Sequence, residues 1–143
     1  MKKINYLILF VFLLQSCQLI VLNPDKQKKV VYIANQNSAL GILNLYLLQL
    51  DSNDVYSAIF LRTDSLGNRI TPAMQYEDYY DVFRLQRQIS GLPITQIITD
   101  TLSQESIVMN VEFDYIRKVE FLATKLDDKW YISDLRSWKE IYR

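Results

Sequence analysis

The spacing of apolar residues changes from a helical to a strand-like period at Leu92-Pro93. Before this point, apolar side chains recur every three or four residues, which predicts amphipathic helices. After it, apolar and polar residues alternate, which predicts strands with one buried and one wet face. The alternation is clearest at Ile107, Met109, Val111, Phe113 and Tyr115. Helices followed by antiparallel strands predict the α+β fold class.

Two helices are expected before residue 63. The first begins after the capping residue Asp25 and runs to Leu50, with leucines at three- and four-residue spacing. A short separate strand over residues 30–33 is the alternative for its early part. A polar stretch then interrupts the pattern, and Ser52 or Asn53 is expected to cap a short second helix. Along one side of this helix lie Val55, Ala58 and Ile59, and Arg62 continues that side at its end.

A third helix is expected from Thr71-Pro72 to about Ser90-Gly91. A hydroxyl cap followed by proline is typical of a helix start, because the first turn does not need the missing N–H. One face of this helix carries Tyr76, Tyr79, Tyr80 and Phe83.

About four strands are expected in the second half. The first covers residues 94–102 and the second 107–115, joined by a short hairpin loop. Val119 to Ala123 continues the sheet, and residues 115–118 before it are either a turn or a bulge in one long strand. Trp130 to Ile132 returns after a polar turn.

The first sixteen residues have the composition of a secretory signal. Lys2 and Lys3 are followed by an almost wholly apolar stretch from Ile4 to Leu14. A basic start, an apolar stretch and a small residue before the cut are the marks of such a signal. An uncleaved membrane helix over Ile4 to Leu22 and a signal that is simply cleaved are the alternatives.

The end of this segment, Leu14-Gln15-Ser16-Cys17, resembles the lipobox of bacterial lipoproteins. The resemblance implies that Cys17 carries a diacylglyceryl group and becomes the mature N-terminus. The protein is then expected in the bacterial cell envelope, anchored to the membrane and facing the periplasm. Residues 17–27 would form the lipidated cysteine and its tether.

The composition excludes several kinds of catalytic and metal-binding site. The 143 residues include one cysteine and no histidine, which excludes Ser-His and Cys-His pairs, an internal disulfide and the usual zinc sites. The 16 basic and 16 acidic side chains balance, so nothing in the charge points to nucleic acid. No acidic segment matches a calcium loop, and neither a metal nor a cofactor is expected.

Two parts of the chain resemble the NTF2-like superfamily, especially its lipoprotein members. They are the end of the first helix with its linker and the small helix around Tyr56, over 45–58, and the last hairpin with its tryptophan strand, over 127–134. The likeness covers about residues 28–135, and we expect residues 28–143 to form one domain. It implies a cone in which N-terminal helices pack on a curved antiparallel sheet, with a pocket at the open end. The polar turn lacks the glycine often found before Lys129-Trp130.

Aromatic residues on faces that we expect to be buried or pocket-lining are the candidate ligand-binding residues. Tyrosine suits a ligand cavity or a protein interface, because it combines an apolar ring with a polar tip. The candidates are Tyr46, Tyr76, Tyr79, Tyr80, Phe113, Tyr115 and Trp130. The alternative is that these rings simply fill the core.

Three functions stay open at this point, because superfamily members include isomerases, dehydratases, transport factors and binding modules. The first is a non-enzymatic envelope module that binds a partner protein or a small apolar ligand. The second is an enzyme that uses Asp78 and Asp81 beside the tyrosines of the third helix. The alternative for this helix is that the tyrosines and Phe83 form its core stripe while Glu77 and Asp78 face water. The third is a structural protein whose sheet packs against copies of itself, as in a homodimer.

Overall fold

The structure is a computed structural model that describes residues 33–137. Within that range it holds three helices and one four-stranded antiparallel sheet, so the α+β fold class is confirmed. The elements are α1 (Ala39–Asp51), α2 (Val55–Phe60), α3 (Gln75–Ile89), β1 (Ile94–Ser103), β2 (Ser106–Phe113), β3 (Arg117–Leu126) and β4 (Lys129–Ser137). The predicted signal peptide, Cys17, the tether 17–27 and the tail from Trp138 lie outside the described residues.

Helix α1 begins later than the sequence pattern predicts. Residues 33–38 are not helical, so the predicted helix from Asp25 to Leu50 is wrong over this stretch. Ser38 is the N-cap, and its Oγ accepts a hydrogen bond of 3.0 Å from the amide of Gly41. The amide of Asn35 also donates to the carbonyl of Gly41, and a Cβ at Gly41 would clash with the Asn35 side chain. Glycine therefore permits the close turn that starts α1.

Asp54, rather than Ser52 or Asn53, caps helix α2. Its carboxylate accepts from the amide of Ser57 at 3.0 Å and from the Ser57 hydroxyl at 2.6 Å. These hydrogen bonds hold the pKa of Asp54 below its usual 3.8. Asn53 has a positive φ of 60° and forms the turn between the two helices.

Helix α3 starts at Gln75, three residues after Pro72, because residues 71–74 form a separate turn closed by the Met74 amide on the Thr71 carbonyl. The helix ends at Ile89, close to the predicted end.

The sheet is a simple meander in the order β1-β2-β3-β4. Alternate residues of the two central strands face the helices, as predicted, and are buried: Met109, Val111, Phe113, Val119, Phe121 and Ala123. Helix α1 covers this face, and the ring of Tyr46 meets that of Phe121 edge-on with centroids 6.3 Å apart. Strand β2 ends at Phe113 and residues 114–116 form a turn, so the alternative of a bulge in one long strand is wrong. Tyr115 lies in this turn and does not continue the buried alternation of β2.

The two edges of the sheet differ. On β4, the Trp130 amide donates to the carbonyl of Gln36 and the Ile132 amide to that of Leu61, each at 2.9 Å. Thr63 in turn donates to the Ile132 carbonyl at 3.0 Å. Within residues 33–137, no corresponding segment covers the outer side of β1.

The described part of the chain holds no helix with the length and apolar character needed to cross a bilayer.

The turn between β3 and β4 has a strained backbone conformation that a glycine substitution can relieve. Asp127 and Asp128 have φ of 47° and 63°, the left-handed values of a type I′ turn, where glycine is favoured at the second position. We expect Asp128→Gly to raise the free energy of unfolding by about 1 kcal/mol. Chemical denaturation of both proteins measures this, and a loss of stability in the glycine variant would contradict it. Both aspartates make surface ion pairs, Asp127 with Arg69 at 3.0 Å and Asp128 with Lys125 at 2.9 Å. Asp128 is the one replaced because it holds the second turn position, and its pair contributes little since the Asp128 side chain is almost fully exposed.

Candidate functional site

The seven aromatic candidates do not line one cavity. Tyr46, Phe113 and Trp130 lie in the core. Tyr76 and Tyr80 are 69% and 77% exposed on α3, whereas Tyr115 is 79% exposed in the β2–β3 turn. The expectation of a common pocket is therefore not met, because the helices fill the inner face of the sheet with their own side chains.

Tyr46 shows how closed this interior is. Its hydroxyl is enclosed and finds no hydrogen-bond partner among the described residues. Burial raises the pKa of Tyr46 well above its usual 10, while nearby Arg62 lowers it and Asp78 raises it further. The hydroxyl is therefore a neutral core group that no ligand reaches in this arrangement.

Six aromatic rings on α2 and α3 are exposed or half-buried, and together they are called the aromatic surface. It consists of Tyr56, Phe60, Tyr76, Tyr79, Tyr80 and Phe83. Tyr79 is central, with ring centroids 5.3 Å from Tyr56, 5.9 Å from Tyr80 and 5.9 Å from Phe83. The Tyr79 and Phe83 rings are stacked, with 10° between their planes.

Helix α3 exposes these rings because a different stripe faces the core. The buried residues are Val82, Gln86 and Ile89, at i, i+4 and i+7. Gln86 is satisfied there, because its Nε2 donates to Asn53 Oδ1 at 2.6 Å and to the Leu50 carbonyl at 3.2 Å. Because this buried stripe contains the polar residue Gln86, a search for apolar residues at helical spacing does not find the stripe.

Arg62 is a buried charge that links the end of α2 to α3. It is only 9% exposed, and its Nη1 lies 3.1 Å from Oδ1 of Asp78 on α3. Neither its Nε nor its Nη1 has a hydrogen bond of good geometry among the described residues. A charge this deep needs a partner, and Asp78 supplies it.

Asp78 and Asp81 do not share a site. The Asp78 side chain is 28% exposed and faces Arg62, whereas that of Asp81 is 65% exposed and pairs with Arg84 on the surface. The structure therefore does not assemble the two carboxylates predicted for the enzyme hypothesis, which stays a prediction.

Arg62 lines two surface grooves of opposite character. One, of about 590 Å³, lies between α3 and the last two strands and carries Arg84, Arg117, Lys118 and Arg136 against Asp81 and Asp134. The other, of about 610 Å³, carries Asp64, Glu77, Asp78 and Asp134, with Arg62 as its cation. Among the residues that the structure describes, no three acidic side chains stand close enough to hold a metal ion.

These observations define a class: an α+β protein with a filled core, whose most distinctive surface is a cluster of exposed aromatic rings on a helix pair. No family model, curated protein or solved structure matches the chain. The function must therefore be inferred from the residues themselves.

Proposed function

We propose that the protein is a lipid-anchored module of the bacterial cell envelope, facing the periplasm, that binds a partner protein through its aromatic surface. The lipobox-like tetrad ending in Cys17 supports the anchor, because the only cysteine of the chain stands where that motif needs it. The domain is proposed to be NTF2-like. Helices that precede a four-stranded antiparallel sheet, and a last strand that begins Lys129-Trp130 after a polar turn, support this assignment.

The exposure of Tyr76 and Tyr80 is the observation that carries the binding proposal. Soluble proteins rarely expose contiguous apolar patches without a use for them. Tyrosine and arginine are the residues that most often dominate binding energy at protein interfaces. Here Arg84 and Arg87 flank the rings, and Arg87 stacks over Phe83 at 5.9 Å.

The filled core favours a protein partner over a small apolar ligand. A buried ligand needs a cavity lined by convergent side chains, usually of several hundred cubic ångströms. Tyr46, Phe113 and Trp130 instead pack against core neighbours, and the described grooves lie at the surface. A partner that covers the rings from outside requires no rearrangement of the core.

Site-specific photocrosslinking in living cells tests this proposal. A photoreactive phenylalanine analogue at Tyr80 is expected to give one reproducible adduct of defined size with a single envelope protein. The same analogue at Tyr115 is the matched control, because Tyr115 is equally exposed but lies in the β2–β3 turn. Equal adducts at both positions, or none at Tyr80, would contradict the proposal.

The partner found in this way permits an affinity measurement. Tyr76→Ala and Tyr80→Ala are each expected to weaken binding about tenfold, the effect of losing one interface hot spot. Their circular dichroism should match that of the wild type, because neither side chain is buried. Unchanged affinity in both variants would remove the aromatic surface as the binding site.

A further inference from the structure

Strand β1 leaves one whole edge of the sheet open. It is ten residues long, and residues 98–103 are all exposed. Its pairing with β2 is regular from Gln96 to Thr101, with irregularities only at its two ends. No hydrogen bond from the described residues reaches its outer side.

The hydrogen bonds at the opposite edge determine which backbone groups of β1 point outward. Trp130 and Ile132 donate away from β3, so their register partners Lys125 and Ala123 must turn toward β2. The amide of Lys125 indeed donates to Glu105 at 2.8 Å.

The same alternation continues across β2. Ile107 pairs with Ala123, so it points toward β3, as do Met109 and Val111 two and four residues further on. The intervening residues Val108 and Asn110 therefore face β1.

Their register partners on β1 are Asp100 and Ile98. Ile97, Thr99 and Thr101, which lie between or beside these partners, consequently turn their N–H and C=O groups away from the sheet. Three residues at successive alternate positions thus present unused backbone donors and acceptors.

Strand β1 has few of the usual protections of an exposed edge. Natural edge strands carry charged side chains, above all lysine, or proline, bulges or a covering segment to prevent pairing with another chain. The strand reads ITQIITDTLS, which contains neither lysine nor proline, and Asp100 is its single charge. Ile98 and Leu102 are exposed along it.

We propose that β1 pairs antiparallel with β1 of a second copy about a two-fold axis at Thr99, which joins two sheets into one. Thr99 then faces Thr99 of the second copy, and Ile97 faces Thr101. Each of these pairs exchanges two backbone hydrogen bonds, so every outward group is used. Asp100 faces Ile98 and not another carboxylate, so no like charges stand directly opposite each other.

The partner of β1 is a second copy of the same strand. In this register the backbone donors of each copy face acceptors of the other, and no like charges stand opposite each other. Pairing of two single strands buries less than the roughly 1,200 Å² typical of stable complexes, so we expect a weak dimer. The test therefore traps the register covalently. This proposal does not depend on the aromatic surface, which lies on α2 and α3.

Cysteine trapping in the full chain with Cys17→Ser reads the register directly. In a hydrogen-bonded antiparallel pair the Cα atoms lie about 5.5 Å apart, within the range that a disulfide bridges. Thr99→Cys is therefore expected to give a disulfide-linked dimer under mild oxidation.

Two control variants show whether disulfide formation is specific to position 99. Asp100→Cys places the two sulfurs on opposite sides of the axis, with Cα atoms roughly 8 to 9 Å apart, too far to bridge. Leu66→Cys is a loop position that is 85% exposed and remote from β1 in sequence. Neither control should give a disulfide-linked dimer, and equal disulfide-linked dimer formation at all three positions would overturn the proposal.

Thr99→Pro provides a second measurement. Proline removes one outward N–H, which an edge strand tolerates when that N–H does not serve the neighbouring strand. Light scattering should show concentration-dependent dimers for the wild-type chain and monomers for a folded Thr99→Pro chain.

Three outcomes would overturn the pairing. The first is a wild type that stays strictly monomeric at high concentration and gives no Thr99→Cys dimer. The second is slow amide exchange at Ile97, Thr99 and Thr101 in a monomer, which would show that another segment of the same chain covers the edge. The third is an edge occupied by a different protein.

Discussion

The variant Asp78→Ala is expected to unfold with a free energy about 2 kcal/mol below that of the wild type. The substitution leaves the buried guanidinium of Arg62 without its carboxylate, and an uncompensated buried charge is costly. Complete burial of such a pair would make the loss 3–5 kcal/mol or so. Water reaches the Asp78 side chain, which is 28% exposed, so we expect the smaller value.

Two further variants separate this effect from a general loss of surface charge. Asp81→Ala removes the neighbouring carboxylate of the exposed pair with Arg84, and should change stability by less than about 0.5 kcal/mol. The double variant Arg62→Met/Asp78→Leu replaces both charges by apolar groups, and should recover most of the lost stability. Urea denaturation of all four proteins makes the comparison, and equal losses for Asp78→Ala and Asp81→Ala would contradict it.

The sheet could be predicted from sequence because its signal is local. Alternation from Ile107 to Phe113 places every second residue in the core, and the structure confirms that face. The turn with two consecutive aspartates, Asp127 and Asp128, also falls where a break in the pattern marks it. Period and turn chemistry are properties of neighbouring residues, so tertiary contacts were not needed.

The helix boundaries were less predictable because several residues near each boundary could act as the N-cap. Ser38, Ser52, Asn53 and Asp54 are all good capping residues by type. Which one caps depends on where the chain turns, and that is set by contacts such as Asn35 against Gly41 and Gln86 against Asn53. Such contacts join residues that no local pattern connects.

The candidate site was harder still, because polar residues occupy buried positions. Gln86 belongs to the core stripe of α3, so a search for apolar spacing selects the tyrosine face instead. Arg62 continues the apolar side of a short helix, but nothing in the neighbouring residues shows that its charge is almost fully buried. In both cases the partner that makes burial tolerable, Asn53 or Asp78, comes from another element.

The variant Cys17→Ser is expected to lose its membrane association almost completely. Each buried methylene of an acyl chain contributes about 0.8 kcal/mol, so two or three chains hold a protein in the bilayer essentially permanently. Serine has no thiol to alkylate, so none of this binding energy is available to the variant. Fractionation of cells that express the full chain measures the change, and labelled palmitate should enter the wild type and not the variant.

Ser16→Ala is the matched control, because it keeps a small residue before the cut and leaves the cysteine in place. It should be labelled and retained in the membrane like the wild type. A wild-type chain that is trimmed, unlabelled and soluble would instead indicate a signal that is simply cleaved. Membrane retention of Cys17→Ser at full length would indicate that the segment from Ile4 to Leu22 stays in the bilayer as a helix. Retention of Cys17→Ser after correct trimming would rule out the lipid anchor, because the chain would then bind the membrane without any acyl group on residue 17.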